Sequence, residues 1–585
     1  MRHALGLGLL GLLAGCSDDP APPIADAAGD LGAVDAALVD APAADVPPED
    51  VPDPHGGLRL PRCEDTEPTG ETALTPFVST LLGTRVPMVN RLPMPGASNP
   101  ATEAGEMLYR GMMMDRFQPG EPWARVRRTD LGGPPAAPTG ARKSLAWFVM
   151  LADTQLVDDE SPTRLSGVDN PAAGGGLRAQ EAMLPRAMSA LNRTLRETMR
   201  SERPWQFGII AGDCTDSAQY NELRWFVGVM DGERAVHTDS GDDNDPIPGP
   251  DNDPKDPFDA VAFPAPWYFV PGNHDVEVVG INLVTATTRA QAIGTSAAGG
   301  TRDYTRWWAP ARRGPVTADP DRRLLDRADF PRELMRTAAT PGPLGHGLAG
   351  VSNPAQGLNY TVDVVPGLLR IIALDTSDDT GGSKGLVRQR TVDTFLRPAL
   401  EAAQRDGVLA MLSSHHPTSS MDRISGEFGG SVVADAVEPA ALDRLVAGYP
   451  NVIGWMVGHD HDLRVRATRG ADMAHPGFWE IMSGSVADHP AQARAMELVD
   501  NGDGTLSLFG TLLDIQPRTC WERRYLRLTQ MEFLSSWESN HLGTANDRNV
   551  ELVIPVPPAA RDAVARAAAM APTRIESETT LRGMR

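Results

Sequence analysis

Val452-Ile453-Gly454-Trp455-Met456-Val457-Gly458-His459-Asp460-His461-Asp462-Leu463 is an apolar run that breaks into a polar cluster with two histidines two residues apart. The apolar part has the length of a strand buried on both faces. Gly, His and Asp are ordinary residues at the end of such a strand. Taken alone, the stretch therefore reads first as a turn after a buried strand and second as half of a metal site. The rest of the chain decides between the two.

Six more apolar runs lie along the chain, at 146–151, 207–210, 267–270, 368–374, 408–412 and 478–482. Helical periodicity fills several of the intervals, near 178–200, 217–230 and 390–405. Strands alternating with helices predict an α/β fold, and in such sheets ligands gather at the carboxyl ends of strands. The run 146–151 leads to Asp153, Thr154 and Gln155, and 207–210 leads to Gly212 and Asp213. The run 267–270 leads to Gly272, Asn273, His274 and Asp275, and 408–412 leads to His415, His416 and Pro417. With Gly458 to His461, five strand ends carry metal-ligand residue types. One such cluster is common, but five in one chain are not explained by strand ends alone.

The chain has 585 residues and a net charge of −23. That length fits one domain with large insertions. No run of Lys and Arg offsets the acidity, which argues against nucleic acid as a main partner. At the N-terminus one Arg precedes a short apolar stretch, well below the ~20 residues that span a bilayer, so 1–15 is expected to be an export signal. Leu13-Ala14-Gly15-Cys16 resembles the bacterial lipobox, which implies cleavage before Cys16, lipidation of its thiol and attachment to a membrane. A plain secretory signal is the alternative. Residues 17–57 hold nine Asp and one Glu with no Lys or Arg. Segment 16–57 buries too little apolar surface to fold and is expected to be a disordered, self-repelling tether. The expected location is the cell envelope, facing the periplasm or the cell surface.

Beyond the tether, 58–143 reads as an N-terminal extension, 144–515 as the main domain and 516–585 as a C-terminal extension. Export permits disulfides, and Cys63 and Cys520, on either side of the main domain, are expected to pair; free buried thiols are the alternative. The Asp-rich stretch 231–262 lacks the spacing and closing Glu of a calcium-binding EF-hand, so a solvated loop is expected before a calcium site. Insertion 276–357 reads either as a cap over the substrate or as peripheral packing. Asp500-Asn501-Gly502-Asp503-Gly504-Thr505 is expected to be a hairpin turn.

Taken in chain order, Asp153-Thr154-Gln155, Gly212-Asp213, Gly272-Asn273-His274-Asp275, His415-His416-Pro417 and Gly458-His459-Asp460-His461 resemble the five signatures of the calcineurin-like metallophosphoesterase superfamily. The resemblance covers about 144–515. The long gaps between motifs and the export signal look like a bacterial exported subgroup with large inserts. The likeness implies a four-layer α/β/β/α sandwich with N- and C-terminal extensions, carrying two divalent metal ions of Mn, Fe or Zn type. Asp213 would bridge the ions. Asp153, Gln155 and His461 would complete the first site, and Asn273, His415 and His459 the second. His274 would face the substrate, with Asp275 orienting its ring and His416 behind the ligands.

The chemistry asks for these residue types. Two cations ~3.5–4 Å apart neutralise phosphate oxygens and generate hydroxide near neutral pH. The implied reaction is hydrolysis of a phosphate mono- or diester by metal-bound hydroxide, with His274 stabilising charge or protonating the leaving oxygen. His459 and His461, two apart in an extended segment, share one face and reach one ion each. Two positions depart from the family pattern. The first motif usually reads Asp-x-His, and Gln155 puts a neutral, weaker donor there. Asp216 stands where purple acid phosphatases carry a ligand Tyr, which argues against their iron site. The competing reading is a non-catalytic envelope binding protein, weakly metallated through Gln155. A metallo-β-lactamase-type hydrolase is disfavoured, because its HxHxDH pattern lies early in its domain and is absent here. The acidic stretch is expected to repel polyanions and favour small esters.

Overall fold

Each of the seven apolar runs forms a strand, and the strands assemble into two facing sheets. The computed structural model describes residues 63–68 and 78–574, apart from short breaks at 95, 97–98, 168–175, 200–203, 305, 307–308, 338–340, 378, 428–429 and 537–540. The expected export signal, Cys16 and the tether lie outside the described residues.

The strands of the two sheets, in chain order, are β1 (Val126–Arg128), β2 (Lys143–Leu151), β3 (Phe207–Ala211), β4 (Trp267–Val270), β5 (Tyr360–Val365), β6 (Leu369–Ala373), β7 (Leu409–Ser413), β8 (Val452–Val457), β9 (Arg464–Asp472), β10 (His475–Met482), β11 (Gln492–Asp500), β12 (Thr505–Asp514) and β13 (Val550–Pro555). One sheet runs β1-β13-β12-β11-β2-β3-β4 and the other β9-β10-β8-β7-β6-β5. The pairs β2–β3, β3–β4, β6–β7, β7–β8 and β8–β10 are parallel, which is the arrangement that strand-helix alternation demands. The principal helices are α1 (Leu184–Thr198), α2 (Tyr220–Asp231), α3 (Arg397–Arg405), α4 (Pro439–Ala447), α5 (Cys520–Ser535) and α6 (Arg561–Met570).

Side-chain alternation explains the layers. In β7, Leu409 and Met411 point into the core shared with the other sheet, while Ala410 and Leu412 point to α3 and α4. In β6, Ile371 and Ala373 face inward and Ile372 faces outward. In β10, Trp479 and Ile481 face inward, and Trp479 Nε1 donates to the carbonyl of Val553 across the interface at 3.1 Å. Helices α1 and α2 make the crossovers β2–α1–β3 and β3–α2–β4 on the far side of the first sheet. The layers therefore run helix, sheet, sheet, helix, as the four-layer α/β/β/α expectation requires.

Residues beyond 515 contribute β13, which lies between β1 and β12 near one edge of the first sheet, and α5 packs against α1. Cys63 and Cys520 form a disulfide at the start of α5. The turn 501–504 joins β11 to β12, with Gly502 and Gly504 in the left-handed conformation that a tight hairpin requires.

The acidic stretch is not a free solvated loop. Asp253 and Lys255 are buried, and Lys255 Nζ lies 2.8 Å from Asp159 and 2.7 Å from Glu160. Arg186 reaches the backbone carbonyl of Asp256 at 2.7 Å. A single lysine among many aspartates turns inward because the buried Asp159 carboxylate needs its charge, while burial pushes the neighbouring Glu160 carboxyl well above its usual range. Insertion 276–357 makes a small apolar cluster from Val278, Val279, Ala292 and Leu324, and its Gly280 lies against the strand-end residues described next.

Candidate metal centre

The carboxyl ends of β2, β3, β4, β7 and β8 meet at one place. The loops after β2 and β3 are zipped together: Asp153 N–H donates to the Gly212 carbonyl (3.0 Å) and Gln155 N–H to that of Asp213 (2.8 Å). Asp153, Gln155, Asp213, His459 and His461 all have φ between 40° and 77°. For residues with a Cβ this left-handed backbone costs on the order of 1–3 kcal/mol each, and such strain collects at functional sites. Here it falls in the strand-end loops that bring Asp153, Asp213, His459 and His461 together around His415.

Donor atoms of Asp153, Asp213 and His415 lie within 4.8 Å of one another. His415 Nε2 is 3.0 Å from Asp213 Oδ2 and 3.8 Å from Asp153 Oδ1. His461 Nε2 is 3.4 Å from Asp153 Oδ1. The backbone N–H of His459 reaches both oxygens of Asp153, at 3.1 and 3.2 Å. Asn273 donates its amide Nδ2 to the Gly280 carbonyl at 2.9 Å, which leaves Oδ1 with no donor. Gln155 Oε1 is buried in the same condition. His415 Nδ1 lies 2.8 Å from the Ala211 carbonyl, so that nitrogen carries the proton. Nε2 is then the nitrogen left to reach a metal, and it lies beside the Asp213 carboxylate.

Buried acceptors without donors are rare. Two carboxylates and an imidazole within 4.8 Å of one another, with two unpartnered amide oxygens in the same strand-end loops, form a donor set that fits divalent cations, with mixed hard oxygen and imidazole character. Glycines line the back of this cradle. A Cβ on Gly458 would stand 2.7 Å from Asp153 Oδ2, one on Gly212 would stand 2.6 Å from His415 Nδ1, and one on Gly272 would overlap the Asp213 carboxylate.

The electrostatics of the bare protein follow from this crowding. Burial alone would depress His415, but the Asp213 carboxylate, helped by Asp153, outweighs it and pushes the imidazole up to about 9. His461 likewise goes against burial to about 10, through Asp153 and then Asp488. His459 is pushed down to about 3 by burial and then by His415. Burial would raise Asp213, yet the neighbouring His415 holds it below the usual carboxylate range.

His416 shares a cluster of donor atoms with His415 and His459. Both of its ring nitrogens are already engaged, Nδ1 with Thr376 Oγ1 at 2.9 Å and Nε2 with the Ser383 carbonyl at 3.1 Å. It therefore stands behind the ligand set. His274 sits at the edge with its side chain 17% exposed. Its backbone N–H donates to Asp213 Oδ1 at 2.9 Å, and its Nδ1 lies 2.7 Å from the Asp216 carbonyl.

Asp275 does not orient the His274 ring. Its two oxygens accept from the N–H groups of Cys214 (2.9 Å), Thr215 (3.0 Å) and Gly272 (2.8 Å) and from Thr215 Oγ1 (3.1 Å), so it ties the β3 and β4 loops together. Burial and then Asp213 push it up to about 7. The ring's neighbour is Asp216, with Oδ1 at 3.7 Å from Nδ1 and Oδ2 held by Arg164 and Ser217, each at 2.9 Å. Sequence reasoning also passed over Asp488, which bonds His461 Nδ1. The available signal was its place just beyond the polar end of 478–482, on the same edge of the sheets as the other clusters.

No family model matches the chain, and no curated protein matches it. Among solved structures, a dimetal phosphatase from Danio rerio aligns over its whole length with 64% of this chain, at 13% identity and a TM-score of 0.33. A likeness of that size transfers no residue or activity to this chain.

Proposed function

We propose that the protein is a dinuclear metal-dependent phosphoesterase of calcineurin-like type, acting on phosphate mono- or diesters. The observation that carries this reading is the pair of buried amide oxygens without donors, Gln155 Oε1 and Asn273 Oδ1, in the loops that bring His415 together with the carboxylates of Asp153 and Asp213. Asp153, Gln155 and His461 would hold one ion, Asn273, His415 and His459 the other, and Asp213 both. When bound, two such ions supply neutralisation of the phosphate oxygens and a nucleophilic hydroxide near neutral pH. The protein's own groups do the rest. The zipped loops after β2 and β3 fix the carboxylates, and the Ala211 carbonyl holds the proton on His415 Nδ1 and keeps Nε2 free to bind. With its Nδ1 proton held by the Asp216 carbonyl, His274 would protonate the leaving oxygen from Nε2 as the doubly protonated imidazolium.

We also propose that the chain is exported and anchored to a membrane through lipidated Cys16. The lipobox-like stretch supports this, and among the described residues no helix is long and apolar enough to cross a membrane. The test of the enzyme reading is turnover of p-nitrophenyl phosphate and bis-p-nitrophenyl phosphate after chelation, with Mn, Fe or Zn restored. Metal-restored turnover lost in Asp213→Asn is the expected result, and the faster substrate assigns monoester or diester. A chain that binds the ions yet turns over neither substrate would instead be a binding protein.

A further inference from the structure

The two candidate ion positions are backed by different groups. His415 is oriented by a neutral carbonyl, that of Ala211. His461 is oriented by a carboxylate, because its Nδ1 bonds Asp488 Oδ2. Asp488 is buried, and its other oxygen accepts from Nε of the buried Arg178 at 2.8 Å. The turn that carries Asp488 also braces Asp153. Ser485 Oγ donates to the Asp153 carbonyl at 2.8 Å and accepts from the N–H groups of Ala487 (2.8 Å) and Asp488 (3.2 Å). The N–H groups of Val486 and Ala487 reach the same carbonyl at 3.2 and 3.1 Å. One turn thus holds the left-handed backbone of Asp153 and the ring of His461. Those are the partners of Gln155, the neutral amide, at the first ion.

We infer that Asp488 is a positioning residue that offsets the weak donor at Gln155. It keeps the proton of His461 on Nδ1, turns Nε2 toward Asp153 and makes that nitrogen a stronger donor. A carboxylate behind a metal-binding imidazole raises its basicity, and losing one ordinarily lowers metal affinity about 10–100-fold. The inference rests on the ion pair of the proposed function but not on turnover.

The test is equilibrium dialysis of the full-length protein against stepped free Mn2+, with metal counted per chain and the electron paramagnetic resonance spectrum recorded. The variants are Asp488→Asn, His461→Ala and the double variant. Wild type is expected to bind two ions and show a spin-coupled pair. Asp488→Asn is expected to keep one ion at unchanged affinity and bind the other about 10–100-fold more weakly, so that an isolated-ion spectrum appears before the coupled one. In the His461→Ala background, Asp488→Asn is expected to add no further loss, whereas a misfolded variant would add one. Two ions bound by Asp488→Asn at wild-type affinity, or an additive loss in the double variant, overturns the inference and leaves the ion pair standing. A wild type that binds no ion pair overturns both.

Discussion

Gly272 has no room for a side chain, because any Cβ there overlaps the Asp213 carboxylate. Gly272→Ala is therefore expected to displace Asp213 and strip both ions, as read by metal content. Gly111→Ala, with open space around the new methyl, is expected to leave metal content unchanged and serves as the control. The imidazoles make a pH-dependent prediction. In the bare protein His415 (about 9) and His461 (about 10) hold a proton at neutral pH, and a metal must take that nitrogen. Binding therefore expels roughly two protons near pH 7, and affinity rises with pH until about 9–10. Calorimetry in buffers of different ionisation enthalpy reads the proton count, and a pH-independent affinity contradicts the assignment. His274→Ala is expected to lower kcat by about 10²–10⁴-fold with both ions retained. Loss of metal in that variant would make His274 a ligand instead.

At the scale of elements, the strands most legible in the sequence are those buried on both faces. β3, β4, β7 and β8 are continuous apolar runs bounded by polar clusters, and they carry most of the proposed ligands. β9 was not legible, since Arg464–Asp472 is an edge strand with largely polar, partly exposed residues and no clean alternation. β13 is apolar enough to read, but it lies beyond the strand-helix alternation that organised the rest. The residues that meet at the candidate centre were legible because each sits at the end of such a run. The roles of Asp216 and Asp488 were not, because a polar residue at a strand end does not show which ring, next door or 27 positions away, it will meet. Packing at this scale is testable. Leu412, fully buried against α3 and α4, is expected to cost about 2–5 kcal/mol when changed to Ala. Lys255→Met leaves Asp159 and Glu160 buried without their cation and is expected to destabilise by about 3–5 kcal/mol. Denaturant melts measure both, and a loss under 1 kcal/mol for Lys255→Met would return the acidic stretch to the surface.

For the molecule as a whole, one sequence feature holds the fold together and another is proposed to set where it sits. The Cys63–Cys520 bridge spans 457 residues and restricts the unfolded chain. The double Ala variant is expected to lose about 2–4 kcal/mol of stability while keeping turnover, because the bridge sits at α5 and not among the ligands. Cys16→Ser is expected to move the protein from the membrane fraction to the soluble fraction of fractionated cells. Unchanged membrane association would remove the lipid anchor from the account.

The most direct test is manganese anomalous scattering from crystals of the metal-loaded protein. Two peaks about 3.5–4 Å apart are expected, on either side of Asp213, one reached by Gln155 and His461 and the other by Asn273, His415 and His459. A single peak, or none among these residues, would contradict the two-ion assignment.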